Sequence, residues 1–328
     1  MRHSFFCIDS HTCGNPVRLV AGGGPLLPHL PVADRRDIFV RNHDWIRQAL
    51  MFEPRGHDIM SGAIIYPAYR EDCDFAVIFI EVSGCLPMCG AGTIGLVTAA
   101  VEEGLVTPRT PGKLSIETPA GRVDVTYEKP GEFVEAVRMF NVASYLHAAD
   151  IEVDVPGLGT LTVDGNYYAV IEPQGNWPGL GGMSGDEIVD ISRKLRDALE
   201  PICNPVHPED ERIRGVHHAL WCDAPTNDNA DGRGAVFYGD KAIDRSPGGT
   251  GTSARLAQLH GKGRLKVGDR FRQESLIGTI FEGCIESEVQ IGRFKGIKPS
   301  VAGWARIIGH NTIFVDDRDP LAYGFQLK

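Results

Sequence analysis

The stretch Phe75-Ala76-Val77-Ile78-Phe79-Ile80 is apolar at every position, and the chain soon runs into Pro87-Met88-Cys89-Gly90-Ala91-Gly92-Thr93. A short run apolar on both alternations reads as a strand buried on both faces. Leu96 to Glu103 then favours helix. Strand, glycine-rich turn and helix in that order make an α/β unit. The order recurs. Ala235 to Tyr238 is strand-like, Asp244-Arg245-Ser246-Pro247-Gly248-Gly249-Thr250-Gly251-Thr252-Ser253-Ala254 follows, and Arg255 to His260 favours helix. The letters echo weakly and the context strongly, so the chain is expected to hold two related α/β halves. A substrate is expected in the inter-domain cleft, where two helix N-termini favour an anion such as a carboxylate.

The rest of the chain fits that outline. Phe5 to Asp9 and Val17 to Ala21 read as strands around a turn at His11-Thr12-Cys13-Gly14-Asn15-Pro16. Residues 34–50 place Phe39, Ile46 and Leu50 at helical spacing, and Gly185 to Leu199 is an amphipathic helix. Ile64 to Tyr66, Leu114 to Glu117, Val123 to Tyr127, Ala136 to Phe140 and Val163 to Ile171 read as strands. The expected halves are residues 1–144 plus 311–328, and residues 145–310.

With 328 residues, 42% of them hydrophobic, the chain can fill two cores. A formal charge of −10 with no basic cluster argues against nucleic acid and anionic membrane as partners. The start, Met1-Arg2-His3-Ser4-Phe5-Phe6-Cys7, lacks a long apolar run, so a cytoplasmic location is expected. The eight cysteines then read as reduced thiols. Cys85 and Cys89, and Cys7 and Cys13, lack metal-ligand spacing, and no metal is expected.

Cys89 carries the sharpest chemistry. A thiol at a helix N-terminus gains thiolate character from the dipole and from unpaired N–H groups. Its plain alternative is a small buried hydrophobe in a tight turn. Gly90-Ala91-Gly92-Thr93-Ile94-Gly95 also fits a dinucleotide fingerprint, with Glu117 near the distance of a ribose contact. A Cys–His hydrolase is a further alternative, although nothing in the sequence pairs a histidine with Cys89. Neither turn continues as a P-loop.

Several long segments resemble the proline racemase family, and most closely its bacterial 4-hydroxyproline 2-epimerase branch. They are Ser83 to Gly95, Asp244 to Ala254, His11 to Pro16 and Glu53-Pro54-Arg55-Gly56-His57-Asp58. Ala302-Gly303-Trp304-Ala305-Arg306 and Asp316-Asp317-Arg318-Asp319-Pro320 extend the likeness over essentially the whole chain. The resemblance implies an α+β fold of diaminopimelate-epimerase type, with two similar halves clamping a small imino acid, hydroxyproline or proline. It implies an isomerase that needs no cofactor: one cysteine thiolate removes the Cα proton and a second cysteine delivers one to the opposite face. A homodimer is compatible with it.

Residue by residue, the resemblance implies that Cys89 is the first catalytic cysteine. Gly90, Gly249 and Thr250 match backbone positions that hold the substrate carboxylate. Asp244 matches a contact to the substrate amine, and His218 a substrate-contacting histidine. The plain alternatives are turn geometry for the glycines, helix capping for Asp244 and simple packing for His218. The chain departs from the family in three places. The second cysteine falls on Gly248, and the histidine beside the first falls on Ala91. The family also carries about four more residues around Val163 to Tyr168. The expected activity is inversion of trans-4-hydroxy-L-proline to cis-4-hydroxy-D-proline, impaired by the missing thiol and raised by a cysteine at 248. The rivals are a trans-3-hydroxy-L-proline dehydratase, which needs one cysteine, and an inactive imino-acid-binding relative.

Overall fold

The structure is a computed structural model describing residues 1–327. The chain divides into two compact units, Met1–Phe140 with Ala302–Lys328, and Asn141–Val301. In the first unit the chain runs through β1 (Arg2–Thr12), β2 (Asn15–Gly22), α1 (Val32–Met51), β3 (Ser61–Tyr66), β4 (Phe75–Glu81), α2 (Gly90–Glu102), β5 (Lys113–Thr118), β6 (Gly121–Glu128) and β7 (Ala136–Phe140). The second begins with β8 (Ser144–Tyr145), β9 (Ala148–Val155), β10 (Gly159–Gly165), β11 (Tyr168–Ile171), α3 (Gly185–Leu199) and β12 (His218–Asp223). It continues with β13 (Gly232–Tyr238), β14 (Ala242–Ile243), α4 (Gly249–Gly261), β15 (Arg270–Glu274), β16 (Ile280–Ile291) and β17 (Phe294–Gly303). Finally β18 (Ala305–Asp316) returns to pair antiparallel with β1.

In the first unit, β18, β1, β2, β3, β4, β5, β6 and β7 pair in that order, parallel at β2/β3 and β4/β5 and antiparallel elsewhere. Every residue of β4 is buried, as its unbroken apolar run predicts. Every residue of α2 from Gly90 to Ala100 is buried too, against β1, β2, β7 and β18. A helix apolar all round has no solvent face and belongs in a core. Gly95 permits the closest approach. A Cβ there would stand 3.0 Å from both Thr12 Oγ1 and Val17 Cγ1.

The second unit pairs β9, β10, β11, β12, β13 and β14 in order, with β11 and β12 parallel. Trp177 and Trp221 sit at its centre with rings 4.9 Å apart, and Trp221 Nε1 donates to Ser192 Oγ at 2.7 Å. On α3, Ile188, Ile191, Leu195 and Leu199 turn inward, and Ser184 and Glu187 close a capping box at its start. Helix α4 is buried from Gly251 to Leu259 and packs on β8, β11 and β16.

Two local expectations are corrected and a third is narrowed. The helices expected from Leu96 and Arg255 begin at Gly90 and Gly249. Glycine weakens a helix by roughly 1 kcal/mol per residue, and burial of the apolar turns that follow outweighs it. Val163 to Ile171 is two strands, turned at Asn166-Tyr167, where Asn166 Oδ1 accepts the Tyr168 N–H at 2.6 Å. The His11 to Pro16 turn is a tight hairpin. Cys13 and Gly14 hold φ of 46° and 100°, the double positive φ that matches strand twist. Among the described residues no helix is long and apolar enough to cross a membrane.

Candidate active site

The first turn leaves β4 and ends at Cys89, which caps α2 in an extended conformation, φ −138° and ψ 113°. Its Sγ accepts the Gly92 N–H at 3.3 Å. Its carbonyl accepts both Thr93 N, at 2.9 Å, and Thr93 Oγ1, at 2.8 Å. The N–H groups of Gly90 and Ala91 donate no hydrogen bond among the described residues. The sulfur thus rests on the positive end of α2, an arrangement that favours thiolate. Gly92 makes the room, since a Cβ there would lie 3.1 Å from Cys89 Sγ and 3.2 Å from Phe79 Cδ1. Ala91 is buried, and its carbonyl accepts Thr12 Oγ1 at 2.8 Å.

Cys89 differs from most of its kind. Cys7, Cys13, Cys73, Cys85, Cys203 and Cys222 are buried, whereas Cys89 and Cys284 are half-buried. Burial pushes Cys7 and Cys85 up to about 12, and Cys73 and Cys222 up to about 11. Those four are protonated and inert near neutral pH. Among the described residues no disulfide forms, and no cluster of His, Cys, Asp and Glu could hold a metal ion.

The dinucleotide reading loses its acidic partner here. Glu117 is buried and fully engaged: Oε1 accepts Val32 N at 3.0 Å, and Oε2 accepts Tyr69 N at 2.7 Å and Arg70 N at 3.1 Å. It ties the start of α1 and a loop to β5.

The second turn leaves β14 at Asp244, whose N–H donates to Val236 O at 2.8 Å. Asp244 Oδ1 accepts Ser246 N at 2.8 Å and Ser246 Oγ at 2.7 Å. Burial raises its carboxyl to about 6, against the lowering pull of the Ser246 hydrogen bonds and the Arg245 charge. Gly248 then caps α4 with φ 76° and ψ 106°, unlike the extended Cys89. Its carbonyl accepts Thr252 N and Thr252 Oγ1, both at 2.7 Å. The N–H groups of Gly249 and Thr250 donate to nothing among the described residues and can receive an anion.

His218 opens β12, in parallel register with Tyr168 on β11. The two rings stack with centroids 4.7 Å apart, and Tyr238 lies on at 6.5 Å. Burial first, then the charges of His217 and Arg196, lower its pKa to about 3, so the imidazole is neutral at physiological pH. A neutral ring offers one donor and one acceptor.

These residues form one patch. A Cβ on Gly251 would stand 2.9 Å from Val236 Cγ2 and 3.5 Å from Tyr168 Cε1, and one on Gly248 2.9 Å from the same Val236 methyl. Val236 and Tyr168 also share an apolar cluster. So His218, Asp244, Gly248, Gly249 and Thr250 gather around Val236 and Tyr168 in the second unit, while Cys89, Gly90 and Ala91 stand together in the first. Sequence reasoning missed Tyr168, Val236 and Ser246 as supporting residues. The doubled aromatic Tyr167-Tyr168 was a signal for the first; nothing marks Val236 in the sequence.

Comparison with known proteins gives a consistent picture. The pattern of the proline racemase family matches residues 7–326. The chain is 74% identical to 4-hydroxyproline 2-epimerase 2 of Rhizobium rhizogenes, covering 100% of both chains. It is 55% identical to the 4-hydroxyproline 2-epimerase of Ancylobacter novellus, over 99% of this chain and 98% of that one. Among solved structures, a hydroxyproline epimerase from Agrobacterium vitis with bound trans-4-hydroxy-L-proline superposes with TM-score 0.90. It is 27% identical over 100% of this chain and 97% of that one. The mixed α/β fold expected from the resemblance is the fold of this neighbour.

Proposed function

The chain belongs to the proline racemase family, and from that premise we propose that it is a 4-hydroxyproline 2-epimerase, interconverting trans-4-hydroxy-L-proline and cis-4-hydroxy-D-proline. It is an isomerase, and its partner is a small imino acid. The observation that carries the substrate is 74% identity to a 4-hydroxyproline 2-epimerase along the full length of both chains. The solved relative that holds trans-4-hydroxy-L-proline supports the same ring and hydroxyl.

Cys89 is assigned the first proton transfer. Its thiolate takes the Cα proton, the S–H bond forms, and the electron pair left on Cα spreads into the substrate carboxylate. The Gly92 N–H and the dipole of α2 stabilise the thiolate before the transfer, and the open N–H groups of Gly90 and Ala91 add to that field. The substrate carboxylate is assigned to the N–H groups of Gly249 and Thr250, and its ammonium to Asp244. His218, kept neutral, serves as a polar pocket wall that adds no charge. No cofactor enters this scheme.

The test is incubation of the protein with the epimers of 3- and 4-hydroxyproline and separation of products by chiral chromatography. Conversion of trans-4-hydroxy-L-proline to cis-4-hydroxy-D-proline is expected. Loss of water from trans-3-hydroxy-L-proline, with the 4-hydroxy epimers untouched, transfers the chain to the dehydratase reading.

A further inference from the structure

Inversion needs a second proton donor for the face that Cys89 does not serve, and Gly248 has no side chain to supply it. The position is built that way. Its φ of 76° suits glycine, and an added Cβ would meet Val236 Cγ2 at 2.9 Å. The same absent Cβ would lie 3.5 Å from Asp244 Oδ2. Asp244 Oδ1 is occupied by the Ser246 N–H and hydroxyl, while Oδ2 accepts no hydrogen bond among the described residues. The carboxyl is therefore pinned by one oxygen and presents the other beside the volume where a side chain at 248 would start.

We propose that Asp244 is the second acid/base of the reaction, with Oδ2 exchanging a proton with Cα where the family's second thiol would. The proposal rests on the hydroxyproline reading of the site. The two roles of Oδ2 belong to two protonation states: ionised, it meets the substrate ammonium; neutral, it carries the proton offered to Cα. In one direction Cys89 removes the proton, the Cα–H bond breaks, and the Asp244 Oδ2–H bond supplies the new proton, leaving a thiol and a carboxylate. In the other direction the carboxylate removes the proton and the thiol returns one. Solvent resets both groups between turnovers.

The raised carboxyl suits this work, since an acid/base is most effective with its pKa near the working pH. The groups that face it are Val236, Ser246 and the Arg245 charge, and of these only Arg245 is ionic.

The test separates α-proton exchange from inversion, on the full chain in deuterated water at saturating substrate. Wild type is expected to invert trans-4-hydroxy-L-proline with deuterium entering at Cα. Asp244→Asn is expected to lower inversion by about 10²–10⁴-fold, the usual worth of a general acid, while exchange at the Cys89 face falls by less than about tenfold. Equal loss of exchange and inversion would mean that Asp244 only binds the amine, and overturns the proposal. Unchanged inversion overturns it as well. Ser246→Ala gives an independent reading if the first variant fails to fold. Losing the hydroxyl that stabilises the carboxylate raises the Asp244 pKa, so the matching limb of the inversion pH profile is expected to move up; an unmoved limb overturns the proposal. A wild type that exchanges but never inverts sinks the second acid/base and leaves the hydroxyproline site standing. A wild type that neither binds nor exchanges any hydroxyproline overturns the functional reading and this proposal with it.

Discussion

The ring of His218 lies over that of Tyr168, with centroids 4.7 Å apart and planes 17° from parallel. The stack covers one face of the imidazole. Its pKa falls from 6.5 to about 3. The native state therefore refuses a proton that the unfolded chain accepts near pH 6.5, and stability falls as pH drops from about 6.5 toward 3. His218→Gln removes that proton from both states. Melting curves between pH 4 and pH 8 are expected to show a shallower acid loss for the variant than for wild type. Parallel curves would place the acid sensitivity elsewhere.

Cys89 is expected to react with iodoacetamide faster than the other cysteines by about tenfold or more, because a thiolate at a helix start is both ionised and reachable. Cys284 is the internal control, since it is half-buried as well. Peptide mapping by mass spectrometry reads the rates, and trans-4-hydroxy-L-proline is expected to protect Cys89 alone. Equal labelling of Cys89 and Cys284, with no protection, would remove the low-pKa thiol.

Gly248→Cys alone is expected to destabilise the chain, by about 1–3 kcal/mol for the positive φ, with more from the contact to Val236. Adding Val236→Ala relieves the contact but not the φ, so the double variant is expected to regain part of the melting temperature. If Gly248→Cys melts like wild type, the turn at 248 is pliant and the backbone argument fails.

Asp244→Asn is expected to weaken binding of trans-4-hydroxy-L-proline, measured by calorimetry, without costing stability at neutral pH. The native carboxyl titrates near 6 against 3.8 in the unfolded chain. The native state thus holds its proton more tightly, and stability is lost as pH rises from about 4 through 6. Asparagine has no such loss. Its melting temperature relative to wild type is expected to improve from pH 4 to pH 7. A collapse of melting at pH 7, with normal binding by the folded fraction, would return Asp244 to a turn-capping role.

Much of the fold was legible because its signals are local. The apolar run of β4 and the charge-separated face of α3 can be read without knowing what lies opposite. Gly185 to Leu199 is helical over the span its periodicity marks. The starts of α2 and α4 were not legible. Their glycines disfavour helix, and they turn helical because strands far away in sequence bury them, as Thr12 and Val17 do at Gly95.

The candidate site divides along the same line. Residue types and spacing alone pointed to Cys89 at a helix start and to a second glycine-rich turn before a helix, and the longer motifs to the family, whose resemblance singled out Asp244. Tertiary structure alone decided three things. Glu117 is spent on the backbone of Val32, Tyr69 and Arg70. Gly248 takes a positive φ under Val236. Asp244 is held by one oxygen and leaves the other open. The physical reason is common to all three. A carboxylate's chemistry depends on which donors reach it, and a glycine's tolerance depends on what stands where its Cβ would be. Apart from Ser246, which sits two residues beyond Asp244 in the same turn, those neighbours come from other strands and loops, which no local pattern in the chain specifies.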